Sequence, residues 1–238
     1  MIINIVNKIL SLLGLVYILV SSIVMSLVAI IAMLIFGKQV FHKLARIWAK
    51  QILWAFRIKL DVVGNENLSL SESYIFCSNH SSMLDIPVLQ AGLKHGFRII
   101  YKKELEKIPI FGWGLKLSPY ISILRQNARD SMAGIETAVE AISTGESVVI
   151  FPEGTRSNDG KLQAFKRGAF LLAARSKKPI VPVTIIGSSK LLPNKKFLSG
   201  PGKIKIIINN PIIYTGEGKQ DEMKLMEKIH NIISFNLQ

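Results

Sequence analysis

YIFCSNHSSMLDIP, residues 74–87, runs from an apolar stretch through a polar turn into a segment that contains a proline. Read as one helix, it would set His80 and Asp85 about 140° apart at 100° per residue, on different faces. Read as a strand that ends near Cys77, it becomes a different unit. Ser81 or Ser82 then caps a new helix, and Pro87 suits its first turn, where a missing N–H is tolerated. His80 lies outside that helix, and Asp85 can reach back to its ring. A carboxylate on one imidazole nitrogen fixes the tautomer and leaves the other nitrogen to accept a proton. The same letters also suit an ordinary turn with a capping aspartate.

The strand-then-helix pattern recurs along the chain. Apolar, β-branched or aromatic runs at Tyr74–Cys77, Arg98–Tyr101, Tyr120–Leu124, Ser147–Phe151, Ile180–Ile186 and Lys203–Ile208 read as strands. Helical stretches lie at Ile86–Leu93, Phe111–Lys116, Asp130–Ser143, Phe165–Arg175 and Gln220–Phe235. This alternation predicts an α/β fold, a central mostly parallel or mixed sheet flanked by helices. Several of the strands are continuous apolar runs, as in strands buried on both faces. Residues 61–238 are expected to form this domain, with Pro193–Pro201 as a surface loop.

Residues 1–60 read differently, as a membrane-associated helical element. No charge occurs from Ile9 to Phe36. As one helix that stretch would be about 42 Å long, more than the ~30 Å hydrocarbon core requires. It is either a tilted single span or a helix broken near Ser21–Ser22 that dips into one leaflet and returns. Residues 37–60 follow, with Phe41, Leu44 and Trp48 at helical spacing among Lys43, Arg46, Lys50 and Arg57. Rings and cations together suit the headgroup zone, although the stripe would also suit a packed core helix. Lys8 is alone on the N-terminal side. The basic excess that follows predicts a cell (inner) membrane protein, monotopic or single-span, with its domain on the cytoplasmic side.

Composition narrows the function classes. The 238 residues carry a net charge of +14, which attracts anions: nucleic acid, anionic lipid or acidic substrates. No recognition-helix or RNP-like pattern is present, so no nucleic acid is expected. The one cysteine, Cys77, rules out an intramolecular disulfide. The four histidines are scattered, without HExxH or paired CxxC spacing, so no metal site is expected.

A second motif, VVIFPEGTRS at 148–157, carries a buried strand into Pro152, Glu153, Gly154, Thr155 and Arg156. Ligand crevices form at strand ends in α/β sheets. Gly154 permits a positive φ or close backbone approach, and Arg156 offers a planar fork for phosphate. Alone, the fragment could be a polar turn with a surface Glu–Arg pair.

Together, NHSSMLD at 79–85 and FPEGTRS at 151–157 resemble the glycerolipid acyltransferase family, the bacterial 1-acyl-glycerol-3-phosphate acyltransferases in particular. YKKELEKIPIFGW at 101–113 looks like the family's lysine-bearing segment, YISILR at 120–125 its second block, and IVPVTI at 180–185 its fourth, with FKRGAF at 165–170 between. Pro119 and Leu124 replace the second block's usual glycine and aspartate, while Arg125 keeps its arginine. The departure bears on substrate choice more than on reaction type.

The resemblance implies that His80, held by Asp85, takes the proton from the sn-2 hydroxyl of lysophosphatidic acid. The hydroxyl then attacks an acyl thioester on coenzyme A or acyl carrier protein, giving phosphatidic acid. It further implies that Arg125 and Arg156 bind phosphate, that Glu153 orients Arg156 or the glycerol, and that Gly154 and Thr155 complete the acceptor turn. Oxyanion donors would come from amides near Lys102–Lys103 or around the histidine turn. No cofactor beyond the co-substrate is implied, and Cys77 is not the nucleophile. The family's N-terminal two-helix element, which dips into one leaflet, favours the broken-helix reading. Glycerol 3-phosphate or another lyso-lipid as acceptor, a hydrolase, and a non-catalytic lipid binder are the competing readings.

Overall fold

The computed structural model describes residues 2–124 and 128–238. Two helices open the chain, α1 (Ile2–Phe36) and α2 (Val40–Ala55). The remainder alternates: β1 (Ile58–Val63), β2 (Ile75–Ser78), α3 (Asp85–Gly92), β3 (Phe97–Lys102), α4 (Phe111–Leu117), β4 (Ile121–Ile123), α5 (Ala128–Ser143) and β5 (Ser147–Ile150). It ends with α6 (Gly168–Ser176), β6 (Ile180–Ile186), α7 (Ser188–Leu191), β7 (Gly202–Ile208) and α8 (Lys219–Asn236).

The strands join in one seven-stranded sheet, ordered β1-β7-β6-β2-β5-β3-β4. Every neighbour pair is parallel except β6 with β7. Strand β2 lies at the centre and is buried throughout. Its side chains alternate between two cores, as a period of two requires. Phe76 joins Val88, Leu89 and Phe97 under α2 and α3. Ile75 and Cys77 join Ile142, Phe170 and Ile229 under α5, α6 and α8. Both faces are therefore covered, which is why the central strands read as unbroken apolar runs.

The expected α/β architecture is present, and the six anticipated strands form within two residues of their expected ends. β1 is the addition. Helix α2 stops at Ala55, Arg57 takes a positive φ of 56°, and the strand begins at Ile58, ahead of the boundary expected at residue 61. IKLDVV places Lys59 and Asp61 on alternate positions, the pattern of a half-exposed edge strand.

Of the two readings of the N-terminal segment, the structure has the unbroken helix and not the break near Ser21–Ser22. α1 runs unbroken for 35 residues, about 52 Å, and the chain turns only at Gly37–Gln39. The serines expected at a break instead fasten α1 to α2. Ser21 Oγ donates to Gln51 Oε1 at 2.5 Å. Ser22 Oγ donates to the Ile18 carbonyl at 2.7 Å, within the helix, and accepts the Trp48 indole N–H at 3.0 Å. The segment Ile5–Phe36 is long and apolar enough to cross a membrane, and only 17 % of its most apolar window is buried within the chain. Leu13, Leu19 and Leu34 are each more than half exposed. A surface of this kind marks association with a membrane. Helix α2 turns Phe41, Ala49, Ile52 and Leu53 inward, so its stripe packs on the domain.

A forked ion pair ties β3 to the start of β5. Arg98 on β3 forks onto Glu146, the residue before β5, through Nε and Nη2. The Arg98 hydrogen bonds hold the Glu146 carboxyl below its ordinary value, against the opposing effect of burial. A depressed carboxyl stabilises the fold above its unfolded pKa, and that contribution is lost as pH falls through the folded value. Glu146→Gln is therefore expected to show a flatter melting temperature than the parent as pH falls below about 4.3, the ordinary glutamate value. Differential scanning fluorimetry of the detergent-solubilised pair across that range checks it.

Candidate active site

The sheet register builds the site. β2 and β5 are parallel neighbours with Cys77 opposite Ile150. Continued beyond both strands, that register sets His80 opposite Glu153. The His80 N–H donates to Glu153 Oε1 at 2.6 Å, and the other carboxylate oxygen accepts the Gln163 N–H at 3.0 Å. The Ser157 N–H donates to the His80 carbonyl at 2.8 Å. On the other side of β2, Asn79 acts as a piece of false strand. Its Nδ2 donates to the Ile185 carbonyl at 3.0 Å and its Oδ1 accepts the Ile185 N–H at 2.8 Å. Backbone on both flanks thus fixes where His80 leaves the sheet.

Asp85, the first residue of α3, fixes the ring. It is fully buried, and its Oδ2 takes three partners: the Ser81 N–H at 2.7 Å, the Ser82 N–H at 2.8 Å and His80 Nδ1 at 2.9 Å. A carboxylate can only accept, so the proton of this contact sits on Nδ1. Nε2 then carries the lone pair, and nothing among the described residues bonds it. The imidazole stacks on Phe151, ring centroids 4.0 Å apart and planes 19° off parallel, which holds its plane. The capping differs in detail from expectation. Ser82 Oγ accepts the Leu84 N–H at 3.1 Å and donates to the Leu192 carbonyl at 2.8 Å, but the helix proper starts at Asp85.

The second motif folds as a turn against this one. Gly154 has φ 73°, and a Cβ there would lie 2.9 Å from Lys166 Nζ. Thr155 is exposed. Arg156 is half-buried, and its Nη1 is buried with no partner among the described residues, one residue before the Ser157 amide that holds His80. Of the two expected roles for Glu153, the pairing with Arg156 is not seen among the described residues. Both its oxygens go to backbone amides, and it makes no ion pair with Arg156. Burial pushes its carboxyl up, the Asp85 charge adds to that, and the His80 and Gln163 amides oppose it.

The other candidates lie around this centre. Lys102 ends β3 and Lys103 opens the turn after it; both are exposed, with Lys102 Nζ 3.5 Å from Glu104. Arg125 lies outside the described residues. Cys77 is fully buried in β2, and burial raises its thiol well above its ordinary value, so it remains a protonated core residue. The N–H groups of His80, Ser81 and Ser82 are all engaged inside the protein.

Two cavities flank the turn. The larger, about 390 Å³, lies between α1, α2, α3 and α4 and is almost wholly apolar. Met83, Leu84, Ile86 and Pro87, which follow His80 directly, form one wall. Toward the C-terminal end of α3, away from His80, it is bounded by Gln90, Tyr120 and Phe41. Gln90 Nε2 donates to the Tyr120 hydroxyl, and Phe41 meets the Tyr120 ring edge-on at 4.9 Å. A smaller cavity of about 230 Å³, ringed mainly by polar residues and called the polar cavity below, opens at Ser81 and Ser157. Neither cavity was visible in the chain order, since the walls come from segments far apart. The small Ser26, Ala29, Ala45 and Gly114 were the one available signal of a gap between helices.

Asp85→Ala would strand two buried amides and free the ring, at a cost on the order of 3 kcal/mol in unfolding free energy. Asp85→Asn keeps the shape but can present its NH₂ to those donors. In ¹⁵N spectra of the imidazole, the parent is expected to show the Nδ1–H tautomer of His80 at high pH and the Asn variant a mixture.

Comparison with known proteins sets this geometry in a family. The Acyltransferase family matches residues 59–186, which takes in both motifs. A chloroplastic 1-acyl-sn-glycerol-3-phosphate acyltransferase of Brassica napus is 35 % identical over 179 residues, 74 % of this chain and 52 % of its own length. The 1-acyl-sn-glycerol-3-phosphate acyltransferase of Saccharomyces cerevisiae is 32 % identical over 177 residues, 73 % of this chain and 58 % of its own. The chain thus spans about half the length of the curated relatives it matches. The crystal structure of the 1-acyl-sn-glycerophosphate (LPA) acyltransferase PlsC from Thermotoga maritima superposes with a TM-score of 0.83 and 25 % identity, covering 98 % of this chain and 95 % of that one. With a tautomer-locked histidine at the strand ends and the family matched across both motifs, the chain belongs to the acyltransferase family.

Proposed function

We propose that this protein acylates the sn-2 hydroxyl of lysophosphatidic acid from an acyl thioester. The observation that carries the reading is the His80–Asp85 pair set where the polar turn meets a long apolar cavity. His80 Nε2 takes the hydroxyl proton as the oxygen attacks the thioester carbonyl. The tetrahedral intermediate collapses with loss of the C–S bond, and the imidazolium returns its proton to the departing thiolate. Asp85 steadies the cation and the tautomer. A thioester is already activated, so the route needs neither an acyl-enzyme nor a metal or bound cofactor.

The remaining residues fit around that step. The buried, unpartnered Arg156 nitrogen is suited to the acceptor phosphate, and Arg125 is proposed beside it. With the histidine-turn amides occupied, a backbone amide near Lys102–Lys103 is the proposed oxyanion donor. The cavity wall on α1 extends from Leu15 to Ala29, about 21 Å along the helix, which suits a stretched long acyl chain. The exposed apolar face of α1 supports anchoring in a membrane that holds both acceptor and product. The net charge of +14 and the basic excess after residue 37 support a cytoplasmic-side domain facing anionic lipid, whichever of coenzyme A and acyl carrier protein brings the chain.

Purified protein given lysophosphatidic acid and palmitoyl-CoA is expected to form phosphatidic acid, read by mass spectrometry. His80→Ala should fold and lose about 10²–10⁴ in rate; full activity in that variant would remove His80 as base. Arg156→Ala should raise the KM for the acceptor, and a pure loss of turnover would reassign the arginine. Product from glycerol 3-phosphate instead of the lysolipid would move the acceptor assignment.

Ala45→Phe narrows the cavity near Tyr120. Excluding two methylenes, at ~0.8 kcal/mol each, should shift the long- to short-chain donor preference roughly tenfold. Competition between palmitoyl and decanoyl donors reads that ratio.

A further inference from the structure

We infer that the polar cavity beside the His80 turn receives the pantetheine arm of the thioester donor, the segment that coenzyme A and acyl carrier protein share. The inference rests on the acyl-transfer reading above and places the half of the donor that the reading leaves open.

A thioester extends in two chemically opposite directions from its carbonyl. One is hydrocarbon. The other is pantetheine, a neutral chain with two amides and a hydroxyl that ends in a phosphate. The His80 turn separates two cavities of matching character. Met83 to Pro87 lead into the apolar one. Ser81 lines the polar one, as does Ser157, whose amide holds the His80 carbonyl. A carbonyl beside His80 Nε2 could send its chain into the first and its sulfur arm into the second.

The walls favour the arm over the other anionic candidate, the acceptor headgroup. Ser81, Ser157, Ser189, Asn158 and Asn194 make up most of the residues around this cavity, and their neutral hydroxyls and carboxamides suit amides. Asn194 Nδ2 donates to Asn158 Oδ1 at 2.9 Å, and nothing among the described residues bonds Asn158 Nδ2. The Asp159 carboxylate is also on this wall. The Lys161 amide and the Ser157 hydroxyl hold it below the usual carboxylate range, so it is charged and repels a phosphate monoester held close. Arg156 lines neither cavity. Lys190, exposed at the rim, stands where an arm's terminal phosphate would emerge, with Lys195 and Lys196 exposed a few residues on. The space also depends on a missing side chain. Gly160 has φ 77°, and a Cβ there would come within 2.8 Å of Ser189 Oγ.

The test is a donor series on the full chain in detergent micelles. The donors are palmitoyl-CoA, palmitoyl carrier protein and the palmitoyl thioester of N-acetylcysteamine, which lacks all but the first amide. The variants are the double Asn158→Ala/Asn194→Ala and the space-filling Ser189→Phe. The loss of one or two neutral hydrogen bonds should raise KM for both natural donors about five- to tenfold. KM for lysophosphatidic acid should stay within about twofold, as should the penalty on the truncated donor. An equal penalty on the truncated donor, or no change with any donor, overturns the assignment. A rise confined to coenzyme A points to its nucleotide and also overturns it. A rise only in acceptor KM makes the cavity a headgroup site. Transfer from no thioester by the parent protein would instead sink the acyl-transfer reading, and the assignment with it.

Discussion

One oxygen atom holds the site together. Asp85 Oδ2 accepts two backbone amides and an imidazole N–H, so a single buried charge shapes the turn, starts the helix and sets the tautomer. A buried carboxylate without partners would be costly; with three charge-assisted hydrogen bonds it becomes an organising centre. Its second oxygen is buried and unpartnered, so the arrangement depends on one side of the carboxylate alone. The five-residue spacing follows from this. Asp85 must be far enough along to open α3 and near enough to touch the ring of a residue that is still leaving the strand.

The sheet supplies the rest of the precision. Parallel pairing of β2 with β5 puts two loop entrances side by side, and the same offset that pairs Cys77 with Ile150 pairs the His80 amide with Glu153. Glu153 therefore belongs to the backbone framework. Its raised carboxyl reflects burial beside another acid, tolerated because two amides point at it. Each of its oxygens holds one amide, one from each of the two loops.

Much of this was legible in the sequence. Short apolar, β-branched or aromatic runs located six strands, and the break from YIFC to NHSSMLD located the His80–Asp85 turn, because Pro87 and the serines constrain the local backbone. β1 was hidden because its edge position accommodates the charged Lys59 and the half-exposed Asp61, diluting the apolar signal. The continuity of α1 was hidden because a serine pair reads as a weak point until its partners are known. Trp48 and Gln51, on a different helix, turn it into a fastening. The partners of Glu153 were hidden for a related reason: backbone amides carry no letter. The cavities lay beyond reach, since the space between helices is set by their crossing.

Arg46 gives the helical hairpin a mechanical meaning. From α2 its guanidinium bonds the carbonyls of Gln90, Leu93, Lys94 and His95, at and just past the C-terminal end of α3. The Gln90 and Leu93 carbonyls belong to the negative pole of the helix whose opposite end is Asp85. The hairpin is thus geared to the helix that bears the carboxylate. A tilt of the hairpin against the sheet would load α3 at one end and Asp85, about 12 Å away, at the other, so the stiffness of the His80–Asp85 pair is shared between the sheet and the hairpin.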